Sequence, residues 1–282
     1  MKCPDIVYGT AWKRDGTEQL VRLAIGCGFR GFDTAGQPRH YNEPGVGAAV
    51  AACLGTSLQR AGIYLQTKFT PVGGQDPRRI PYDPAAPLPL QVAQSFAASL
   101  GNLRVNYVDA YVLHSPLASD RLTLEVWRAM EALVDAGKTL ALGISNCYQL
   151  ARLEALCNQA RILPAILQNR FYPDAGFDCE IRAFCRERQI VYQGFWTLTA
   201  NREVISHPKF TALATRLGRT PAQVLYRYLT QSGIVPLTGT QSSTHMREDL
   251  AIFEFELTAD DRRDVNRAFA DRNAGLAPEP PG

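Results

Sequence analysis

Apolar and polar positions alternate along this chain in blocks of two kinds. Short apolar runs rich in Val, Ile, Leu and aromatic residues read as buried strands at 6–10, 30–33, 63–69, 107–113, 140–144, 165–167, 190–192 (leading on to Trp196) and 234–237. Between them lie longer stretches whose apolar residues recur every three to four positions, as in a helix with one buried face. These fall at 18–26, 44–54, 91–102, 122–136, 148–159, 180–188, 210–217 and 222–230, with 243–250 and 260–269 after the last strand. Around 91–102 the small or apolar positions are Val92, Phe96, Ser99 and Leu103. Asn42 with Pro44 opens one helix, Thr220-Pro221 opens another, and Gly137 stops a third. The segment 70–89 holds six of the 18 prolines and reads as a long loop; 274–282, rich in Pro and Gly, is expected to be loose.

Eight strand-then-helix units predict an α/β fold, a (β/α)8 TIM barrel occupying 1–282 as a single domain. A doubly wound sheet would want a G-x-G-x-x-G turn after its first strand, and Gly9-Thr10-Ala11-Trp12 is not one. No linker interrupts the alternation. Composition agrees: 46% hydrophobic and 20% charged residues suit a soluble globular protein. A dispersed net charge of +3 argues against a nucleic-acid partner, and no run of 18 apolar residues predicts a membrane span. Met1 to Asp5 lacks an export pattern. Seven cysteines, an odd count without C-x-x-C, read as small buried hydrophobes of a cytoplasmic protein. Four scattered histidines show no metal-ligand spacing.

In such a barrel the residues just beyond each strand surround one mouth. Asp33 ends the second strand, Lys68 the third, and His114 follows the fourth; Tyr41 lies in the loop after Asp33. Ser145 and Asn146 follow the fifth strand, Gln168 and Asn169 the sixth, and Tyr192 belongs to the seventh. An acid, an ammonium, a phenol and an imidazole at one mouth suit proton transfer.

The motifs around these residues are Phe32-Asp33-Thr34-Ala35, Tyr41-Asn42-Glu43, Gln66-Thr67-Lys68 and Leu113-His114-Ser115-Pro116. Beyond them stand Gly137-Lys138, Leu142-Gly143-Ile144-Ser145-Asn146, and Val235-Pro236-Leu237 with Gly239-Thr240. Together, over about residues 6–257, they resemble the aldo-keto reductases. The resemblance implies NAD(P)H-dependent reduction of an aldehyde or ketone by hydride transfer. It makes Asp33, Tyr41, Lys68 and His114 catalytic, with Tyr41 the proton donor. A phenol with an ordinary pKa of about 10 is a weak acid, so Lys68 is expected to lower it, Asp33 to hold Lys68, and His114 to orient the carbonyl. By the same resemblance Thr10, Ala11 and Asp33 lie by the nicotinamide ribose, Ser145, Asn146 and Gln168 bond the carboxamide, and Tyr192 stacks on the nicotinamide. Gly239, Thr240, His245, Arg247 and Glu248 take the phosphate end of the cofactor, with backbone amides of 240–243 available at a helix start. Trp12, His40 and Trp196, with the 70–89 loop and the Arg78-Arg79 pair, are expected to border a small-molecule substrate of apolar, aromatic character. The arginine pair is read as solvated in preference to meeting an acidic group.

Three departures from the family accompany the resemblance. Eight positions separate Asp33 from Tyr41, more than in many members, so the loop must bulge and His40 becomes a rival donor. The hairpin that commonly plugs the barrel bottom is expected to be absent. Gly239 and His245 stand where many members carry a lysine and an arginine for the 2′-phosphate, so NADP(H) is expected, with NAD possible. Two other functions suit the same residues: a Schiff-base lyase using Lys68, and a non-catalytic cofactor-sensing subunit on the same fold.

Overall fold

Eight parallel strands close on themselves in chain order in the computed structural model, which describes residues 3–55 and 58–279. They are β1 (Val7–Gly9), β2 (Gly31–Asp33), β3 (Tyr64–Phe69), β4 (Ala110–Leu113), β5 (Leu142–Ser145), β6 (Ile166–Arg170), β7 (Val191–Phe195) and β8 (Ile234–Thr238). β8 returns to β1, with Val7 opposite Leu237 and Tyr8 opposite Thr238. The expected (β/α)8 barrel is the observed fold. Its outer layer is α1 (Thr17–Cys27), α2 (Glu43–Cys53), α3 (Leu88–Leu103), α4 (Asp120–Asp135), α5 (Leu150–Gln159), α6 (Cys179–Glu187), α7 (Arg202–Ile205), α8 (Pro208–Leu217), α9 (Pro221–Gln231), α10 (Ser243–Leu250) and α11 (Ala259–Arg272). Among the described residues no helix is long and apolar enough to cross a membrane.

Local chemistry sets most boundaries where the sequence puts them. Asn42 caps α2, its side chain accepting from the Gly45 amide at 3.0 Å, with Pro44 in the first turn. Thr220 and Gln223 close a reciprocal box at the start of α9. The differences lie where prolines or polar residues hide an element. α3 begins at Leu88, taking Pro87 as its cap and Pro89 into its first turn. The short α7 carries too few apolar positions to show a period.

The barrel bottom holds no hairpin among the described residues. Pro4 packs so tightly on the start of β2 that a Cβ on Gly31 would lie 2.7 Å from its Cγ. Cys3 packs beneath Tyr64, Ala110 and Ile166 and accepts from Gln193 Nε2 at 3.3 Å. The tail is fastened as far as Glu279, contrary to its expected looseness. Ser232 Oγ donates to the Glu279 carboxylate at 2.7 Å and Asn266 Nδ2 to its carbonyl at 2.8 Å; 280–282 lie outside the described residues.

Candidate active site

The chemistry begins inside the barrel. Side chains two apart on a strand share a face, so Gln66 and Lys68 of β3 both point inward. Lys68 has no solvent exposure, and Asp33 scarcely any. The ammonium donates to Asp33 Oδ1 at 2.6 Å, to Oδ2 at 2.5 Å and to the Thr34 carbonyl at 2.9 Å, which engages all three of its N–H groups. Burying two charges is tolerable only when they are paired and their remaining bonding capacity is satisfied. A layer of glutamines supplies that. Gln66 Nε2 and Gln168 Nε2 donate to Asp33 Oδ1 at 2.7 and 3.0 Å, and both also donate to Gln193 Oε1. The carboxylate is thus fixed by donors from two other strands, β3 and β6.

Tyr41 stands over this pair. The loop from Thr34 folds into a turn: the Gly36 amide donates to the Lys68 carbonyl, and the His40 and Tyr41 amides both donate to the Gln37 carbonyl. The lengthened Asp33–Tyr41 segment therefore returns the phenol to the mouth, its ring centroid 5.1 Å from Lys68 Nζ and 5.9 Å from the His114 ring. Burial, then the Asp33 carboxylate, pushes the Tyr41 phenol above its ordinary pKa, so the lowering expected from Lys68 is not found. The ammonium's N–H groups are directed elsewhere, and burial pulls Lys68 itself below its ordinary value against the opposing pull of Asp33. His114 is neutral: burial, then Lys68 and His40, lower its pKa to about 3. Thr70 Oγ1 lies 2.6 Å from His114 Nδ1; with the hydroxyl donating, the ring proton resides on Nε2 and is free for a ligand. Asn146, in the left-handed region (φ 53°), donates from Nδ2 to the His114 carbonyl at 2.8 Å. His40 packs against Trp12 with centroids 3.8 Å apart and ring planes tilted by 36°.

A cavity of about 960 Å³ opens over these groups and runs across the mouth to α9 and α10. Its lining contains Ala11, Trp12, Asp33, His40, Tyr41, His114, Ser145, Asn146, Gln168, Trp196, Gly239, Thr240, His245 and Glu248, all foreseen from sequence. Four expectations fail. Tyr192 faces outward, donating from its hydroxyl to Asp178 Oδ2 at 2.9 Å, and does not reach this cavity. β7 runs on to Phe195, and strand alternation then turns Gln193 inward and brings Phe195 to the cavity wall. Thr10 is buried beneath the wall, its hydroxyl donating to the Asp33 carbonyl at 2.9 Å. Arg247 is exposed and back-bonds to the Ser243 carbonyl at 3.3 Å, away from the cavity. No residue of the 70–89 loop lines the cavity; Arg79 pairs with Asp76 at 3.2 Å beside a largely exposed Arg78.

Comparison with known proteins assigns the family. The family model described as the aldo/keto reductase family matches residues 6–200 and 195–269. The chain belongs to the aldo-keto reductase family. It is 31% identical over 244 residues to an aldo-keto reductase of Mycolicibacterium vanbaalenii, covering 86% of this chain and 80% of that one. It is 29% identical over 285 residues to an uncharacterised oxidoreductase of Bacillus subtilis, covering 99% and 93%. Its fold superimposes on the crystal structure of an aldo/keto reductase from Brucella melitensis with a TM-score of 0.80 at 26% identity, covering 94% of each chain. Membership makes it an NAD(P)H-dependent oxidoreductase of carbonyl compounds in general.

The donor set of this aldo-keto reductase fits a nicotinamide dinucleotide. Ser145 Oγ is turned to the Gln168 carbonyl, while Gln168 Oε1 has no protein donor among the described residues and faces the cavity. Thr197 Oγ1 is buried in the wall without a hydrogen-bond partner among the described residues. Lys13, unforeseen from sequence, lines the cavity near β8; its ammonium donates to the Gly239 carbonyl and lies 3.6 Å from where a Cβ of residue 239 would be. A cation thus stands beside the glycine, contributed by the β1–α1 loop. The only sequence signal for it was its place directly after Trp12.

Proposed function

We propose that this chain reduces an aldehyde or ketone to the alcohol with Tyr41 as proton donor. The observation that carries the reading is the meeting of Tyr41, His114 and the Asp33–Lys68 pair at one cavity. The substrate carbonyl sits between the Tyr41 hydroxyl and His114, whose neutral ring donates from Nε2 and fixes the oxygen. A nicotinamide cofactor, when bound, supplies the hydride. Ser145, Asn146 and Gln168 would hold its carboxamide, Phe195 would offer a ring face, and Lys13 would meet its phosphates. A phenol with a raised pKa stays protonated at neutral pH. It releases its proton only to the alkoxide that forms on the substrate, which is a stronger base than phenolate. Lys68, held in place by Asp33, stands 5.1 Å from the ring centroid of the tyrosine that has given up its proton.

The lyase alternative is disfavoured, because an imine needs an amine presented to substrate, and Lys68 is sealed below the cavity wall. The test is a screen of aldehydes and ketones with the wild-type protein and both reduced cofactors, following cofactor oxidation and alcohol formation together. Reduction of at least one carbonyl series is expected. Cofactor binding without reduction of any of them would favour the non-catalytic cofactor-sensing alternative.

A further inference from the structure

Arg170 is the last residue of β6 and lies two positions beyond Gln168, so it continues the inward row one step closer to solvent, about 6.6 Å up the strand. It lines the cavity over the catalytic groups. Its guanidinium carbon stands 4.0 Å from the Trp196 ring centroid, 5.1 Å from that of Tyr172 and 6.0 Å from that of Phe195. Aromatic faces hold the charged plane in one orientation. Its Nε is sealed within the wall, and among the described residues no carboxylate pairs with the guanidinium. Asp33 is engaged by Lys68, and the other acids of the wall, Glu248 and Asp249, belong to the α10 end.

Resting on the reductase reading above, we propose that Arg170 selects carbonyl substrates that carry a carboxylate. The planar edge formed by the two Nη groups matches the two oxygens of a carboxylate, and among the described residues these end-on donors are not taken up by any protein acceptor. The surrounding rings, Trp196 foremost, then accept the apolar body between carboxylate and carbonyl. An aromatic acid aldehyde satisfies both features.

The test pairs 4-carboxybenzaldehyde with its methyl ester, similar in shape and uncharged, in wild type, Arg170→Gln and Arg170→Lys. Cofactor dissociation constants are measured alongside. In the wild type kcat/KM is expected to favour the acid at least tenfold. Arg170→Gln is expected to reduce that ratio tenfold or more through KM for the acid, and Arg170→Lys to restore part of it. Calorimetry with the product 4-(hydroxymethyl)benzoate and cofactor-loaded protein should show the same order. An acid-to-ester ratio unchanged in Arg170→Gln overturns the inference. So does a loss confined to cofactor affinity, which would assign the guanidinium to the cofactor. Reduction of neither aldehyde by the wild type would count against the reductase reading instead, and the calorimetric comparison then decides the role of Arg170 by itself.

Discussion

At the residue scale the site rests on one buried ion pair. Removing one partner of such a pair leaves an uncompensated charge and costs roughly 3–5 kcal/mol. Lys68→Met should therefore lower unfolding stability by about that much in chemical denaturation, and should also lose most turnover. Loss of turnover with unchanged stability would mean that Asp33 is satisfied by its glutamine donors alone. His114 gives a second expectation. Its pKa of about 3 in the folded chain lies below the ordinary 6.5. Between those values the unfolded chain binds a proton that the native chain does not. This contribution to stability is thus complete above 6.5 and is lost as the pH falls toward 3. In that window His114→Gln should flatten the fall of unfolding free energy by up to about 1.4 kcal/mol per pH unit. Equal slopes in variant and wild type would contradict a neutral His114. Asp33, Lys68 and His114 were legible in the sequence because ionisable groups beside apolar strands stand out, and loop residue Tyr41 only through its match to the family motif. Arg170 and Lys13 were not, because a lone cation at a strand end or in a loop looks the same whether or not it has a partner.

At the scale of elements, the 70–89 loop serves the site from behind. Gln75 Nε2 donates to the carbonyls of Gly36 and Thr70 at 2.9 and 3.1 Å, and Gln37 Nε2 donates to the Gly74 carbonyl at 2.7 Å. These bonds clamp the turn that carries Tyr41. Thr70 keeps a second donor, the Tyr82 hydroxyl at 2.7 Å, so Gln75→Ala chiefly orphans the Gly36 carbonyl. The cost expected is roughly 1–3 kcal/mol, with a slower reduction step and little change in cofactor affinity. A variant equal to wild type in both stability and single-turnover rate would show that the clamp is dispensable. Strand existence was plain from the apolar runs, but strand length was not. Choosing Tyr192 as the cofactor-facing residue of a strand read as leading on to Trp196 overlooked the alternation that sets Gln193 inside the barrel and Phe195 at its mouth. Polar Gln193 in that strand was the available clue, since Gln66 and Gln168 occupy equivalent inward positions.

At the scale of the whole molecule, the closed barrel followed from counting strand–helix units, and the cavity follows from where those units end. Its far end is where the proposed reading puts the phosphates of the cofactor. Gly239 brings no charge, Arg247 is turned away, Glu248 and Asp249 line the wall, and Lys13 is the lysine that stands among them in the described residues. A single charge-assisted bond contributes about 1.5–3 kcal/mol, so NADPH should bind more tightly than NADH by a narrow margin that Lys13→Ala removes. Dissociation constants for both cofactors check this, and tighter NADH binding by the wild type would refute it. The claim on which the account turns is that the barrel brings Tyr41 to the reacting carbonyl. The direct measurement is single-turnover reduction by cofactor-loaded Tyr41→Phe and His40→Ala, with cofactor affinity measured in each. The account predicts that Tyr41→Phe slows reduction by roughly 10²–10⁴-fold at nearly unchanged cofactor affinity, while His40→Ala retains most of the rate. Near wild-type reduction by Tyr41→Phe together with its loss in His40→Ala would contradict it.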